Sequence, residues 1–122
     1  MKLQLSNPDS GYTFTAYGDD YIAVNGKRYN TNVALLPGQM LAEWTSASFE
    51  MLTEADFAKL AALAPEILLL GTGKTLRFPT PELLQPLMAA RIGFEVMDTH
   101  AACRTYNILA AEGRKVAAAI LI

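Results

Sequence analysis

The chain has 122 residues, ten Lys and Arg against twelve Asp and Glu, a net charge of −2 and a pI near 5.3, so it carries no basic field to hold a nucleic-acid backbone. With 52% hydrophobic and 18% charged residues, it is expected to form one well-filled domain over residues 1–122, with apolar surface left for a protein partner. A single cysteine, Cys103, and a single histidine, His100, exclude an internal disulfide and argue against a structural zinc site, and they suit a reducing, cytoplasmic compartment.

The segment Met1 to Pro8 lacks the long apolar core of a signal peptide, and no stretch approaches the roughly 20 apolar residues of a membrane span. From Tyr12 the pattern is β. Tyr12, Phe14 and Ala16 alternate with Thr13 and Thr15, and Tyr21 to Val24 runs through Asn25-Gly26 into Lys27-Arg28-Tyr29. Asn-Gly suits a type I′ turn, which needs positive φ at both central residues, and so predicts a hairpin. Asp19-Asp20 reads as a solvated turn before it. Val33–Leu36 reads as a strand stopped by Pro37-Gly38, and Met40–Trp44 as another; Trp44 with Met40 and Leu41 offers either sheet packing or a partner surface.

The period changes at Thr53. With Asp56 three residues on, Thr53 forms a capping box ahead of an apolar stripe at Phe57, Leu60, Ala61 and Ala64, and Pro65 ends the helix. Ile67-Leu68-Leu69-Leu70 is an unalternating apolar run, the mark of a strand covered on both faces. Thr80-Pro81-Glu82 opens a helix through Leu83, Leu84, Leu87 and Met88 to about Arg91, with Gly93 as its stop. Phe94–Met97 is the next strand. Asp98-Thr99 caps a helix carrying Ala102, Tyr106 and Leu109 on one face, which Glu112-Gly113 ends; Arg114-Lys115 lies in the following turn. The apolar run Val116–Ile122 belongs inside a sheet rather than at a free edge. The alternation from Thr53 onward predicts a mixed or parallel sheet with helices against it.

Two segments are candidate sites. Gly71-Thr72-Gly73-Lys74 follows a buried strand, where α/β sheets bind ligands and where glycines let backbone amides approach an anion. It is not a phosphate loop, because Leu76-Arg77-Phe78-Pro79 stands where a helix would have to begin. The simpler reading is a tight turn. The second candidate, Met97 to Asn107, offers Asp98, Thr99, Cys103, Arg104 and Asn107 within three helical turns, and an Asp with an Arg can grip a polar ligand. His100 and Cys103 share one turn, so the helix fixes their separation, unlike the usual cysteine–histidine pair brought together from distant segments. The simpler reading makes Asp98 or Thr99 a cap, Cys103 a core filler and Arg104 an ion-pair partner.

The strings Leu68-Leu69-Leu70-Gly71-Thr72-Gly73, Gly93-Phe94-Glu95-Val96-Met97-Asp98-Thr99, Ala101-Ala102-Cys103-Arg104-Thr105-Tyr106-Asn107 and Glu112-Gly113-Arg114 resemble domain-of-unknown-function family 498 over essentially the whole chain. Eukaryotic members of that family include a mitochondrial assembly factor for respiratory complex I and an adipogenesis-associated protein. The resemblance implies a three-layer α/β fold, with a mixed central sheet, helices packed on it and a small additional β layer from the N-terminal half. It implies no settled enzymatic activity; without a mitochondrial presequence, a bacterial source is expected. The resulting expectation is a non-catalytic binding or assembly module, without cofactor or metal, with a protein partner or a second copy of itself. The alternative is a small-molecule or enzymatic crevice between Gly71–Gly73 and Asp98–Arg104.

Overall fold

The computed structural model describes residues 11–122; the reading of Met1 to Pro8 falls outside them. The described residues form eight strands: β1 (Phe14–Tyr17), β2 (Ile22–Val24), β3 (Lys27–Tyr29), β4 (Ala34–Leu36), β5 (Gln39–Leu41), β6 (Ile67–Gly71), β7 (Gly93–Met97) and β8 (Val116–Ile120). The helices are α1 (Glu54–Ala61), α2 (Gln85–Ala89) and α3 (Thr99–Ala111), with short 3-10 turns at Phe49–Met51 before α1 and Pro81–Leu84 before α2.

Strands β1-β2-β3 make a small antiparallel sheet, and the remaining five form a mixed sheet in the order β5-β4-β8-β6-β7. In the larger sheet β6 runs parallel to β7 and β8, while β4 runs antiparallel to β8 and β5. The expected mixed sheet, helical layers and small β layer are all present.

Each face of the large sheet has its own core. Leu68, Leu70, Ala117 and Ala119 join Phe57 and Leu60 of α1, Leu87 of α2 and Trp44 on one side. Leu69, Ala118 and Ile120 join Ala102, Cys103 and Tyr106 of α3 with Phe14, Ile22 and Val24 of the small sheet on the other. Leu68, Leu69 and Leu70 are each at most 2% exposed, and burying each stabilises the fold by about 1.5–3 kcal/mol. This two-sided burial is why β6 reads as a continuous apolar run. For the same reason β8 sits inside the sheet, as its composition predicts.

Local signals place most boundaries. Asn25 and Gly26 take φ of 50° and 88°, the pair of positive values a type I′ turn requires. Thr53 and Asp56 close the predicted capping box. Other boundaries differ from expectation. The strand expected at Met40–Trp44 is β5, Gln39–Leu41. Trp44 has left it for the core, where its indole donates to the Ile120 carbonyl at 3.1 Å; it is fully buried and offers no partner surface. Thr80 makes no side-chain cap, and the helix expected from Pro81 to about Arg91 is broken into a 3-10 turn and α2, with Pro86 near the start of the latter. Its stop is Arg91, left-handed at φ 59°. The Ile92 amide there donates to the Leu87 carbonyl, Ile92 is buried, and Gly93 is released to begin β7.

Candidate functional site

Parallel pairing sets the rim. Gly71 at the end of β6 lies beside Met97 of β7 and Ile120 of β8, so the segments leaving all three strands emerge together. The turn after β6 and the start of α3 are bonded to each other. The Thr72 amide donates to the Met97 carbonyl at 2.9 Å and the Thr99 amide to the Gly73 carbonyl at 2.9 Å. The Gly73 amide donates to Thr99 Oγ1 at 2.9 Å, and that hydroxyl donates onward to the Leu121 carbonyl at 2.8 Å. Gly73 adopts φ +93°, which glycine takes without strain. Gly71 has a different reason: a Cβ there would stand 3.0 Å from Thr99 Cα and 3.1 Å from Ala102 Cβ, so its absence lets α3 approach the sheet.

These bonds direct the turn's amides inward, where they serve the fold. The remaining cavity is about 20 Å³, lined by Gly18, Tyr21, Gly73, Lys74, Thr99 and His100, which is room for one water. It is roofed by the turn between β1 and β2, where His100 Nε2 lies 3.0 Å from the Gly18 carbonyl and the His100 ring meets Tyr17 at a tilt of 37°, centre to centre 4.5 Å.

The candidate residues divide between four places. Gly71, Thr72, Gly73, Asp98 and Thr99 share the rim, and Asp98 caps α3 by accepting from the Ala101 amide at 2.9 Å. Arg104 is exposed; the Tyr17 hydroxyl beside its guanidinium, and then Asp98, raise its pKa. Cys103 is fully buried in the α3-side core, where burial pushes its thiol up to about 12 against a smaller opposing pull from Arg104. A thiol held protonated in this way is a poor nucleophile at neutral pH. Asn107 faces β1, with both polar atoms engaged: Oδ1 accepts from the Phe14 amide at 3.0 Å and Nδ2 donates to the Phe14 carbonyl at 2.8 Å.

Sequence reasoning missed Arg77 and its surroundings. Arg77 Nη1 pairs with Glu50 at 2.8 Å, Nη2 donates to the Thr72 carbonyl at 3.0 Å, and the guanidinium lies 4.5 Å from the Phe49 ring centre. Beside the pair is an open polar groove of about 370 Å³, with Asn32, Ser46, Ser48, Glu50 and Arg77 among its lining residues. The two segments the pair joins also display Met51, Leu76 and Phe78, exposed by 68%, 51% and 69%. Large apolar side chains grouped in this way around one ion pair stand apart from the singly scattered hydrophobics of an ordinary protein surface. The one legible signal was the alternation of Leu76, Arg77 and Phe78; the 27-residue separation of Arg77 from Glu50 hid the rest.

Among the described residues, no helix is long and apolar enough to cross a membrane, and no three His, Cys, Asp or Glu are grouped to hold a metal ion. Residues 14–121 match the family model described as protein of unknown function (DUF498/DUF598). The chain is 36% identical to the bovine (Bos taurus) protein named NADH dehydrogenase [ubiquinone] 1 alpha subcomplex assembly factor 3, over 98% of this chain and 65% of that protein, so it spans just under two thirds of that relative's length. The crystal structure of a Bordetella parapertussis protein is 45% identical and superposes with a TM-score of 0.86, covering 92% of this chain and 96% of that one. A solution structure from Bordetella pertussis described as a Mth938-like domain is 37% identical, with a TM-score of 0.81, covering 99% and 92%.

Proposed function

This chain belongs to the DUF498/DUF598 family of proteins of unknown function, and from that premise we propose that it is a non-catalytic binding module acting in the assembly of a multisubunit respiratory complex. The observation that carries this reading is the display of Met51, Leu76 and Phe78 around the Arg77–Glu50 pair. Apolar side chains held out on a bonded scaffold suit a protein partner, because burying them on association is favourable and the loop needs little ordering. Thr72 helps to hold that scaffold, its hydroxyl donating to the Thr75 carbonyl and accepting from the Arg77 amide. The relatives named as complex I assembly factors supply the client class. The reading places the chain in the cytoplasm of a bacterium.

The test is deletion of the gene in its source organism, with NADH:quinone oxidoreductase followed on native gels. Loss of the assembled complex, restored by the wild-type chain but not by Phe78→Asp, is the expected result. Unchanged assembly on deletion would overturn the proposal.

A second reading, a small-molecule site between Gly71–Gly73 and Asp98–Arg104, is supported by the shared rim of β6, β7 and β8 and opposed by the 20 Å³ left between them. It requires the Gly18–Tyr21 turn to move aside. Ligand-induced shifts in the amide resonances of residues 18–21 would support it, and a screen of small anions that leaves them unmoved would remove it.

A further inference from the structure

The large sheet ends on β7, and its outer edge is unpaired among the described residues. Gly93 and Met97 direct their backbone groups toward β6 and the turn after it: the Gly93 amide donates to the Glu66 carbonyl and the Met97 carbonyl accepts from Thr72. Alternation along a parallel strand then turns the amides and carbonyls of Phe94 and Val96 outward. Two donors and two acceptors therefore stand in a row at strand spacing, which is a template for one more strand.

The side chains say which strand fits. Phe94 and Val96 pack half-buried against the α1–α2 core. Glu95, on the opposite face, is exposed in the middle of the edge. A second copy in symmetric antiparallel register would set Glu95 against Glu95, which is unfavourable for directly opposed like charges. A strand with a Lys or Arg opposite Glu95 and apolar residues on either side meets both faces.

We infer that β7 is a docking edge for an extended segment of another protein, of the pattern apolar–basic–apolar, which adds to the sheet as a further strand. Main-chain bonds to Phe94 and Val96 hold the segment, and Glu95 selects its charge. The inference is independent of the identity of any respiratory client and rests on β7 rather than on Met51, Leu76 and Phe78.

The test is a titration of the purified, isotopically labelled chain with the blocked peptide Ser-Thr-Val-Lys-Val-Thr-Ser, read by amide NMR. Shifts centred on residues 93–97, with slowed solvent exchange at Phe94 and Val96, are expected. The Glu-centred peptide should bind about fivefold more weakly, from the charge pair alone. Val96→Pro, which deletes an outward donor on an edge strand that can accept proline, should abolish the shifts while Trp44 fluorescence stays native. Should that variant not fold, Glu95→Lys decides: it must invert the preference between the two peptides. No binding at millimolar peptide, shifts centred on residues 76–78, peptide-independent self-association through β7, or an uninverted preference in Glu95→Lys would each overturn the inference. Failure of binding at β7 leaves the assembly reading standing, because that reading is tested separately by gene deletion and Phe78→Asp.

Discussion

Asn107 and Phe14, 93 residues apart, are joined by two hydrogen bonds: the Asn107 amide accepts from the Phe14 N–H and donates to the Phe14 carbonyl. One side chain thus replaces a missing strand neighbour and fastens the small sheet to α3. Tyr106 reinforces the junction, its hydroxyl donating to the Tyr12 carbonyl at 2.8 Å and its ring meeting Phe14 edge-on at 5.3 Å.

Replacing Asn107 by Leu keeps the bulk and leaves both Phe14 backbone groups without a partner. An unpaired group costs about 1–3 kcal/mol when buried, less where water can reach it, so a loss of about 2 kcal/mol is expected in urea denaturation. If stability is unchanged, Asn107 does not fasten the layers.

Thr99 is the second fastening. Its hydroxyl bridges the Gly73 amide and the Leu121 carbonyl, linking the ends of β6 and β8 through α3. Thr99→Val preserves the shape and removes both bonds, at an expected cost of about 1–3 kcal/mol. Hydrogen exchange should quicken at Gly73 in this variant, and protection there as strong as in the wild type would sink the bridge.

Asp98 and Arg104 separate capping from binding. Asp98→Ala removes the bond to the Ala101 amide and should cost about 0.5–2 kcal/mol. Arg104 is exposed, so Arg104→Ala should leave the melting temperature nearly unchanged. A marked loss on Arg104→Ala would mean that its contact with Tyr17 supports the hairpin layer.

Cys103 makes a prediction about pH. Its folded pKa is raised from 9.0 to about 12 by burial, so above pH 9 the unfolded chain releases a proton that the folded chain keeps. The associated stability is intact below pH 9 and declines as pH rises toward 12. Tyr106, also raised by burial, acts in the same direction. Cys103→Ala should flatten the fall in melting temperature over that interval. Iodoacetamide at pH 8 should label Cys103 only after denaturation; rapid labelling of the native chain would show the thiol to be accessible.

The structure also explains why one local signal misled. Gly93 has the residue type that ends helices, yet Arg91 turns left-handed first, because Ile92 is drawn into the core and its amide reaches Leu87. Trp44 likewise leaves its strand for a buried carbonyl on β8. In both places, packing with a distant segment outweighed a weak local preference.

The element types, the Asn25-Gly26 hairpin, the Thr53–Asp56 box, a cap at Asp98 or Thr99 and the interior place of β8 followed from the sequence alone, because periodicity, capping and turn chemistry act within a few residues. What only tertiary structure decided was the use of the polar groups. Asn107 was a candidate ligand until Phe14 met it, Gly73 a candidate anion cradle until Thr99 took its amide, and Arg77 only part of the segment that ruled out a phosphate loop until Glu50 arrived beside it. A hydrogen bond between residues 26 to 93 positions apart depends on chain paths that no local pattern encodes. For that reason the scaffold was legible in the residues, and the surfaces left free for partners were not.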